Sequence, residues 1–188
     1  MTSVEGALFG TALAELGEVT ARIDAADLAA ACAAIATARN IVLYGCGREG
    51  LQMRGFAMRL HHLGCRVAMQ GDMACPPVGR GDLFLVSAGP GELSTVTALM
   101  RVARDAGAAV LLLTAEPDTP SAALATRVLT IPAQTMARDT GVAATSVLPM
   151  GSVYEGALSL LFEIMVLRLR DILGTTPEAM RARHTNLE

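Results

Sequence analysis

Residues 41–50 have the sequence IVLYGCGREG, in which a short apolar run leads straight into a glycine-rich turn. Residues 41–44 have the length and composition of a buried strand, and Gly45 ends them. A helix is predicted from 48 to 62, and Gly64 supplies its C-terminal stop. Strand, glycine turn and helix in this order form the repeating unit of parallel α/β sheets.

The same alternation continues along the chain. Further strands are predicted at residues 66–69, 82–88, 110–114 and 128–131, and further helices at 93–106, 121–125 and 152–173. One or two helices precede the first strand over 4–37, a loop covers 133–148, and a last helical turn starts at Pro177. Because strands alternate with helices, the sheet should be parallel and covered on both faces.

We therefore predict a three-layer α/β/α sandwich with a five-stranded parallel sheet, of the flavodoxin-like or Rossmann-like kind. A single domain is expected over residues 1–188. Its parts are the N-terminal helices at 4–37, an α/β core at 40–132, a long helix at 152–173 and a tail at 177–188.

The basic residues are all arginine, because the chain contains no lysine. This excludes Schiff-base chemistry, lysine-linked pyridoxal phosphate and a P-loop lysine. The net charge of −3 gives no electrostatic footprint for nucleic acid or for an anionic membrane. We therefore expect a small-molecule partner, with neither nucleic acid nor membrane involved.

The four cysteines form no CxxC pair, and the three histidines complete no zinc pattern. We expect reduced thiols, a cytoplasmic location and no metal site. The N-terminus lacks the charged and then apolar segments of a signal peptide. The apolar stretch 157–167 contains Glu163 and is too short to span a bilayer.

The helix predicted at 152–173 is apolar on almost every side, which is typical of a helix buried all round. Two arrangements would bury it: a contact between subunits, or a central position within one chain. We favour a homo-oligomer, either a homodimer or a homotetramer.

Two glycine-rich turns follow predicted strands, at 45–50 (GCGREG) and at 88–92 (AGPGE). Ligands of open parallel sheets bind beyond the carboxyl ends of the strands, and helix N-termini favour anions. The first turn matches GxGxxG, and Asp72 follows at the distance expected for a dinucleotide site. The match is weak, because a long helical segment precedes it and the second turn has no role in such a site. An NAD(P)-dependent oxidoreductase is kept as an alternative.

Several segments resemble the SIS (sugar isomerase) domain family. They are 45–50, 56–64 (FAMRLHHLG), 81–83 (GDL) and 89–92 (GPGE). The stretches 149–155 (PMGSVYE) and 183–188 (RHTNLE) narrow the resemblance to the 6-phospho-3-hexuloisomerases, and it covers nearly the whole chain.

The resemblance implies an isomerase without metal or cofactor that moves the carbonyl of a sugar phosphate through an enediol intermediate. This chemistry needs a base for a C–H proton, a group that helps to open the ring, and donors for the developing oxyanion. Glu155 is the candidate base, and His184 is a second acid–base group that could reach into a neighbouring subunit. Glu92 is a third catalytic candidate. The substrate-binding candidates are Gly45, Gly47, Arg48, Glu49, Ser87, Gly89, Gly91 and Ser94.

The sequence departs from the family at its phosphate-binding hydroxyls. The family pattern is GxGRS in the first turn and SGSGET in the second, whereas this chain has Glu49 in place of the first serine. The other replacements are Ala88, Pro90 and Leu93. A carboxylate beside a phosphate dianion would cost roughly 1–4 kcal/mol at intermediate dielectric.

Three interpretations of this departure stay open. In the first, the substrate is a different sugar derivative, with an amine or an unphosphorylated end that pairs with Glu49. In the second, the protein is a sugar-binding or sensor module without turnover. In the third interpretation, Arg54 or Arg59 points toward the turn and offsets the added charge.

Overall fold

The computed structural model describes residues 3–187. Positions 1, 2 and 188 of the predicted domain lie outside the described residues. Its helices are α1 (Val4–Ala21), α2 (Ala25–Thr37), α3 (Gly47–Leu63), α4 (Ser94–Asp105), α5 (Ser152–Leu173) and α6 (Pro177–Ala182). Its strands are β1 (Ile41–Gly45), β2 (Val67–Met69), β3 (Leu83–Ser87), β4 (Ala109–Thr114) and β5 (Arg127–Thr130). Short 3-10 turns occupy Ala122–Leu124, Met136–Arg138 and Gly141–Ala143.

The five strands of the described chain form a parallel sheet in the order β2-β1-β3-β4-β5. This confirms the predicted five-stranded parallel sheet, and the order is the flavodoxin-like one. The chain changes direction across the sheet between β1 and β3, whose last residues, Gly45 and Ser87, lie side by side. Such a switch point is where open α/β sheets bind ligands.

Side chains along each strand alternate between the two faces of the sheet. In β1, Ile41 and Leu43 belong to the core that includes residues of α2, α3 and α5. Val42 points to the opposite face and joins the core that includes residues of α4. Helices therefore cover both faces, which confirms the predicted three-layer sandwich.

Asp24 separates the first two helices. Its carboxylate accepts hydrogen bonds from the backbone N–H groups of Ala26 and Asp27, at 2.8 and 2.9 Å. This is the N-cap interaction that starts a helix, so the N-terminal segment consists of two helices rather than one. At the end of α3, Gly64 has a φ of +95° and acts as the predicted C-terminal stop.

Helix α5 is not buried on all sides within the described chain. On its inner face, the Phe162 ring stacks on the Phe56 ring with the centroids 4.2 Å apart. On its outer face, Leu160, Ile164 and Leu167 are 48, 49 and 50 % exposed. The alternative in which one chain buries the whole helix is therefore wrong. An apolar stripe at positions i, i+4 and i+7 is left on the surface.

The segment predicted as a loop at 133–148 contains two 3-10 turns and is fastened to α1. The Glu15 carboxylate accepts hydrogen bonds from the Ser146 hydroxyl at 2.5 Å and from the Val147 N–H at 3.0 Å. The helix predicted at 121–125 is a single 3-10 turn, and the other predicted boundaries differ from the observed ones by at most one residue. Among the helices of residues 3–187, none combines the length and apolar composition needed to cross a bilayer.

Candidate active site

The carboxyl ends of β1 and β3 bring the two glycine-rich turns together. The turns lead into α3 and α4, and a cavity of about 330 Å³ lies between them and the N-terminus of α5. A cavity of this volume lies within the range of small-molecule sites. Its lining residues are Cys46, Gly47, Arg48, Glu49, Pro90, Leu93, Thr135, Met136, Gly151, Tyr154 and Glu155.

Glu49 lies in the first turn of α3 and is only 9 % exposed. Its carboxylate accepts a hydrogen bond from the Ser87 hydroxyl at 2.5 Å and from the Gly89 backbone N–H at 3.0 and 3.2 Å. Burial raises the pKa of Glu49, although these hydrogen bonds and the charge of Arg48 act to lower it. The side chain predicted to lie beside a bound phosphate thus occupies the donors at the end of β3.

Gly89 allows two side chains to approach the second turn closely. A Cβ atom at this position would lie 2.9 Å from the Tyr154 ring and 3.1 Å from Glu49 Oε1. The Tyr154 hydroxyl lies 3.3 Å from the Ser87 hydroxyl, and the residue is buried. Burial, with the nearby Glu49 charge, raises the pKa of Tyr154 well above its ordinary value, so the phenol stays protonated at neutral pH.

Arg48 connects α3 to the segment before α5 and to Glu155. Its guanidinium donates to the Ser152 hydroxyl at 2.7 Å and to the Met150 carbonyl, and it lies 3.3 Å from Glu155 Oε1. Met150 has a φ of +57°, a left-handed conformation that residues other than glycine adopt at a cost. Arg48 therefore supports the wall of the cavity as well as supplying its positive charge.

Glu155 lies in the first turn of α5, and its side chain is 16 % exposed. Its Oε2 atom is buried and has no hydrogen-bond partner in the described part of the chain. Burial raises the pKa of Glu155, the Arg48 charge lowers it, and the Glu49 charge raises it further. A carboxylate with one uncommitted oxygen and a raised pKa, in a cavity at a switch point, is suited to proton transfer.

Comparison with known proteins identifies the family to which this chain belongs. Residues 34–158 match the SIS domain family. The chain is 35 % identical over 174 residues to the 3-hexulose-6-phosphate isomerase of Mycobacterium gastri, a match that covers 93 % of this chain and 86 % of the relative. The chain belongs to the SIS domain family.

Two solved structures have the same fold. A Methanococcus jannaschii protein, whose structure led to an inferred function of 3-hexulose-6-phosphate isomerase, is 22 % identical with a TM-score of 0.81, covering 98 % of this chain and 99 % of that one. The Vibrio vulnificus NanR protein, complexed with ManNAc-6P, is 21 % identical with a TM-score of 0.77, covering 96 % of this chain and 67 % of NanR. At these identities the likeness shows the fold of the SIS domain alone.

The SIS domain brings many of the predicted site residues together. Gly47, Arg48, Glu49 and Glu155 line the cavity. Gly45, Ser87 and Gly89 lie next to the cavity. Gly45 and Ser87 are paired at the ends of β1 and β3, and Ser87 and Gly89 donate hydrogen bonds to the Glu49 carboxylate.

Three predicted residues of the second turn lie outside the cavity lining. Glu92 and Ser94 are exposed at the start of α4. Gly91 has a φ of +88°, and a Cβ atom there would lie 2.7 Å from side-chain atoms of Glu116 and Thr119. The geometry of the turn therefore requires glycine at position 91.

His184 lies at the far end of α3 from the cavity. Its ring packs on the His62 ring with the centroids 5.3 Å apart, and Arg183 donates a hydrogen bond to the His62 carbonyl at 3.0 Å. The helical rise of 1.5 Å per residue puts His62 about 22 Å from Gly47. Within one chain His184 does not reach the cavity, so its expected action in a neighbouring subunit stays a prediction.

Sequence reasoning missed Thr135, Met136 and Tyr154, which all line the cavity. Thr135 Oγ1 is buried without a hydrogen-bond partner among the described residues. The sequence did contain a feature that pointed to Tyr154, because its hydroxyl lies in an otherwise apolar helix directly before Glu155. Thr135 lies in a segment without periodicity, so the sequence offered no signal for it.

The dinucleotide alternative finds no support in the site. Asp72 would have to bind a ribose, but its carboxylate accepts a hydrogen bond from the Met69 N–H at 3.2 Å within its own turn. The strand order also differs from the classic dinucleotide-binding order. Residues 3–187 contain no group of three or more His, Cys, Asp or Glu side chains placed to hold a metal ion.

The charge of Glu49 is not offset by the arginines considered for that role. Arg59 donates two hydrogen bonds of 2.9 Å to the Glu163 carboxylate on α5. Arg54 is exposed on α3 and does not line the cavity.

Proposed function

We propose that this protein is an isomerase that moves a carbonyl between neighbouring carbons of a sugar phosphate or a close analogue, with Glu155 as the base. The relatives named 3-hexulose-6-phosphate isomerase support the reaction class. The observation that carries the assignment is the buried, unpartnered Oε2 of Glu155 beside Arg48 in the switch-point cavity.

The reaction needs one proton to move between adjacent carbons. Glu155 removes the proton from the carbinol carbon next to the ketone, and the electron pair of that C–H bond forms the carbon–carbon double bond of an enediol. The former carbonyl oxygen takes a proton from an acid group, for which His184 of a neighbouring subunit is the candidate. The carboxylic acid then returns its proton to the former carbonyl carbon, while the other hydroxyl gives its proton back to the acid group and becomes the new carbonyl.

Arg48 keeps this base ready for use. The guanidinium contact at 3.3 Å favours the ionised form of Glu155, which burial disfavours. The opposing effects leave a base whose pKa lies above that of an ordinary carboxyl, and such a base abstracts a carbon-bound proton better. The protonated Tyr154 beside Ser87 completes the polar floor of the cavity.

The test is Glu155→Gln, which keeps the shape of the side chain and removes the base. We expect turnover to fall by about 10²–10⁴-fold while the substrate still binds, measured by sugar phosphate isomerisation and by calorimetry. Glu163→Gln is the matched control, because Glu163 lies on the same helix with 56 % of its side chain exposed. Equal activity of Glu155→Gln and Glu163→Gln would reject the assignment.

A non-catalytic sugar-binding protein is the second candidate, and the occupied donors at the end of β3 favour it. It predicts that the wild type binds a sugar derivative but turns none over. The same calorimetry and turnover measurements on the wild type distinguish the two functions.

We further propose that a second copy of this chain covers the apolar surface of α1 and α5. Leu160, Ile164 and Leu167 on α5 are exposed, and Phe9 and Leu13 on α1 are 72 and 68 % exposed. A surface of this kind marks an interaction site. The cytoplasmic location also stays a proposal, in keeping with four cysteines that form no disulfide with one another.

A further inference from the structure

The hydrogen-bond donors around the cavity are largely committed to acceptors of the protein. The Ser87 hydroxyl and the Gly89 N–H both donate to the Glu49 carboxylate. The Arg48 guanidinium donates to Ser152 and Met150 and is paired with Glu155. A ligand that only accepts hydrogen bonds, as a phosphate dianion does, would have to displace one of these partners.

Of the two unsatisfied groups in the described chain, one only accepts hydrogen bonds when ionised, and the other both donates and accepts. Within residues 3–187, the buried side-chain atoms without a partner are Glu155 Oε2, an acceptor, and Thr135 Oγ1, a hydroxyl. Both residues line this cavity. Its charged lining residues are Glu49, Glu155 and Arg48, so the lining carries an excess negative charge when both carboxyls are ionised. Such a lining favours a ligand that donates hydrogen bonds.

Glu49 also places a negative charge at the nearest helix terminus. No side chain caps the N-terminus of α3 at Cys46, and such a terminus attracts anions. The Glu49 carboxylate lies in the first turn of that helix and supplies the negative charge from within the chain. The negative charge that this terminus attracts is thus supplied in part by a side chain of the protein.

We infer that Glu49 determines specificity by filling the anion-binding donors at the end of β3, so that the sugar presents a hydroxyl or an amine, not a phosphate, to this end of the cavity. This inference rests on the proposed function as a sugar isomerase. A substrate that carries a phosphate must hold it away from Ser87 and Gly89.

The experiment compares the wild type with Glu49→Ser and Glu49→Ala, using inorganic phosphate, fructose 6-phosphate, fructose and glucosamine as probes in calorimetric titrations. Glu49→Ser frees both donors and adds a hydroxyl, so we expect it to bind inorganic phosphate and fructose 6-phosphate at least tenfold more tightly than the wild type. We expect the same variant to bind fructose and glucosamine more weakly. Glu163→Ser is the matched control for the loss of one negative charge, and its affinities should equal those of the wild type.

Wild-type affinity for inorganic phosphate equal to or above that of Glu49→Ser would overturn the inference, because Glu49 would then not compete for the donors. If Glu49→Ser does not fold, as its melting temperature would reveal, Glu49→Ala decides. This variant removes both the charge and the acceptor oxygens that occupy Ser87 and Gly89, so phosphate affinity no higher than that of the wild type contradicts the inference.

The two proposals can fail separately. Turnover that disappears in Glu155→Gln, with equal phosphate affinities in the wild type and Glu49→Ser, keeps the isomerase and rejects the role of Glu49. Tighter phosphate binding by Glu49→Ser, with full turnover in Glu155→Gln, keeps Glu49 as a specificity residue and removes the proposed base.

Discussion

Burial and two charged neighbours set the protonation of the proposed base. Burial raises the pKa of Glu155, the Arg48 charge lowers it, and the Glu49 charge raises it. Because Glu155 must be ionised to accept a proton, activity should be lost as the pH falls through its raised pKa. The acid limb of kcat/KM therefore lies above the ordinary carboxyl value of 4.5.

Variants of the two neighbours should move this limb in opposite directions. Glu49→Gln removes a negative charge, which should lower the pKa of Glu155 and extend activity to lower pH. Arg48→Gln removes a positive charge, which should raise that pKa and shift the limb to higher pH. The measurement is kcat/KM against pH for both variants, with Glu163→Gln as a control whose limb stays in place. Shifts of Glu49→Gln and Arg48→Gln in the same direction would contradict this account of the base.

The positions of the two turns were predictable from the sequence, whereas the hydrogen-bond partners of their side chains were not. Glu49 was placed in the substrate site, but as a charge beside a phosphate. Its actual partners, Ser87 and Gly89, lie about 40 positions further along the chain and meet it because β1 and β3 are adjacent. Hydrogen bonds of this kind depend on side-chain rotamers, which a local pattern does not contain.

At the scale of elements, α3 packs on β1 through glycine rather than through a side chain. A Cβ atom at Gly50 would lie 2.5 Å from the Gly45 carbonyl oxygen, and backbone cannot rotate away as a side chain can. The third glycine of the GxGxxG pattern is thus explained by close helix-to-strand packing, without a dinucleotide.

Gly50→Ala should therefore lower the free energy of unfolding by about 1–3 kcal/mol, as other overpacking substitutions do. Gly55→Ala on the same helix is the matched control, because a Cβ atom there meets nothing within 4 Å. Alanine should raise the free energy of unfolding at that position by about 0.5–1 kcal/mol, since it favours the helix. Urea denaturation measures both. A Gly50→Ala protein as stable as Gly55→Ala would show that α3 can shift from β1 freely.

Helix and strand boundaries were predictable because each has a local cause. Gly64 ends α3 with a positive φ, and buried strands are short apolar runs. The outer face of α5 was not predictable, because an apolar helix looks the same in sequence whether its neighbour is the same chain or another copy. The cavity wall from Thr135 to Gly151 was missed for a similar reason, since it depends on contacts of Arg48 and Glu15 with distant loop segments.

At the scale of the whole molecule, the two proposed catalytic groups lie at opposite ends of α3. Glu155 lines the cavity, whereas His184 packs on His62 about 22 Å away, by the helical rise. If both act in one reaction, they must come from different subunits. The exposed apolar stripe on α5 provides a surface through which a second copy could be held.

This arrangement predicts that two inactive variants restore activity when they share an oligomer. Chains with Glu155→Gln lack the base, and chains with His184→Ala lack the partner group. After unfolding and refolding together in equal amounts, about a quarter of the sites should combine an intact Glu155 with an intact His184 from the neighbour, so about a quarter of wild-type turnover should return. The control mixture is Glu155→Gln with Glu155→Ala. Because both variants lack the base that lines the cavity of each chain, every site in that mixture keeps the defect and should stay inactive. Native mass spectrometry verifies that mixed oligomers form. Mixed oligomers without recovered turnover would exclude His184 as the acid supplied by a neighbour, and the absence of any oligomer would remove the proposed subunit contact.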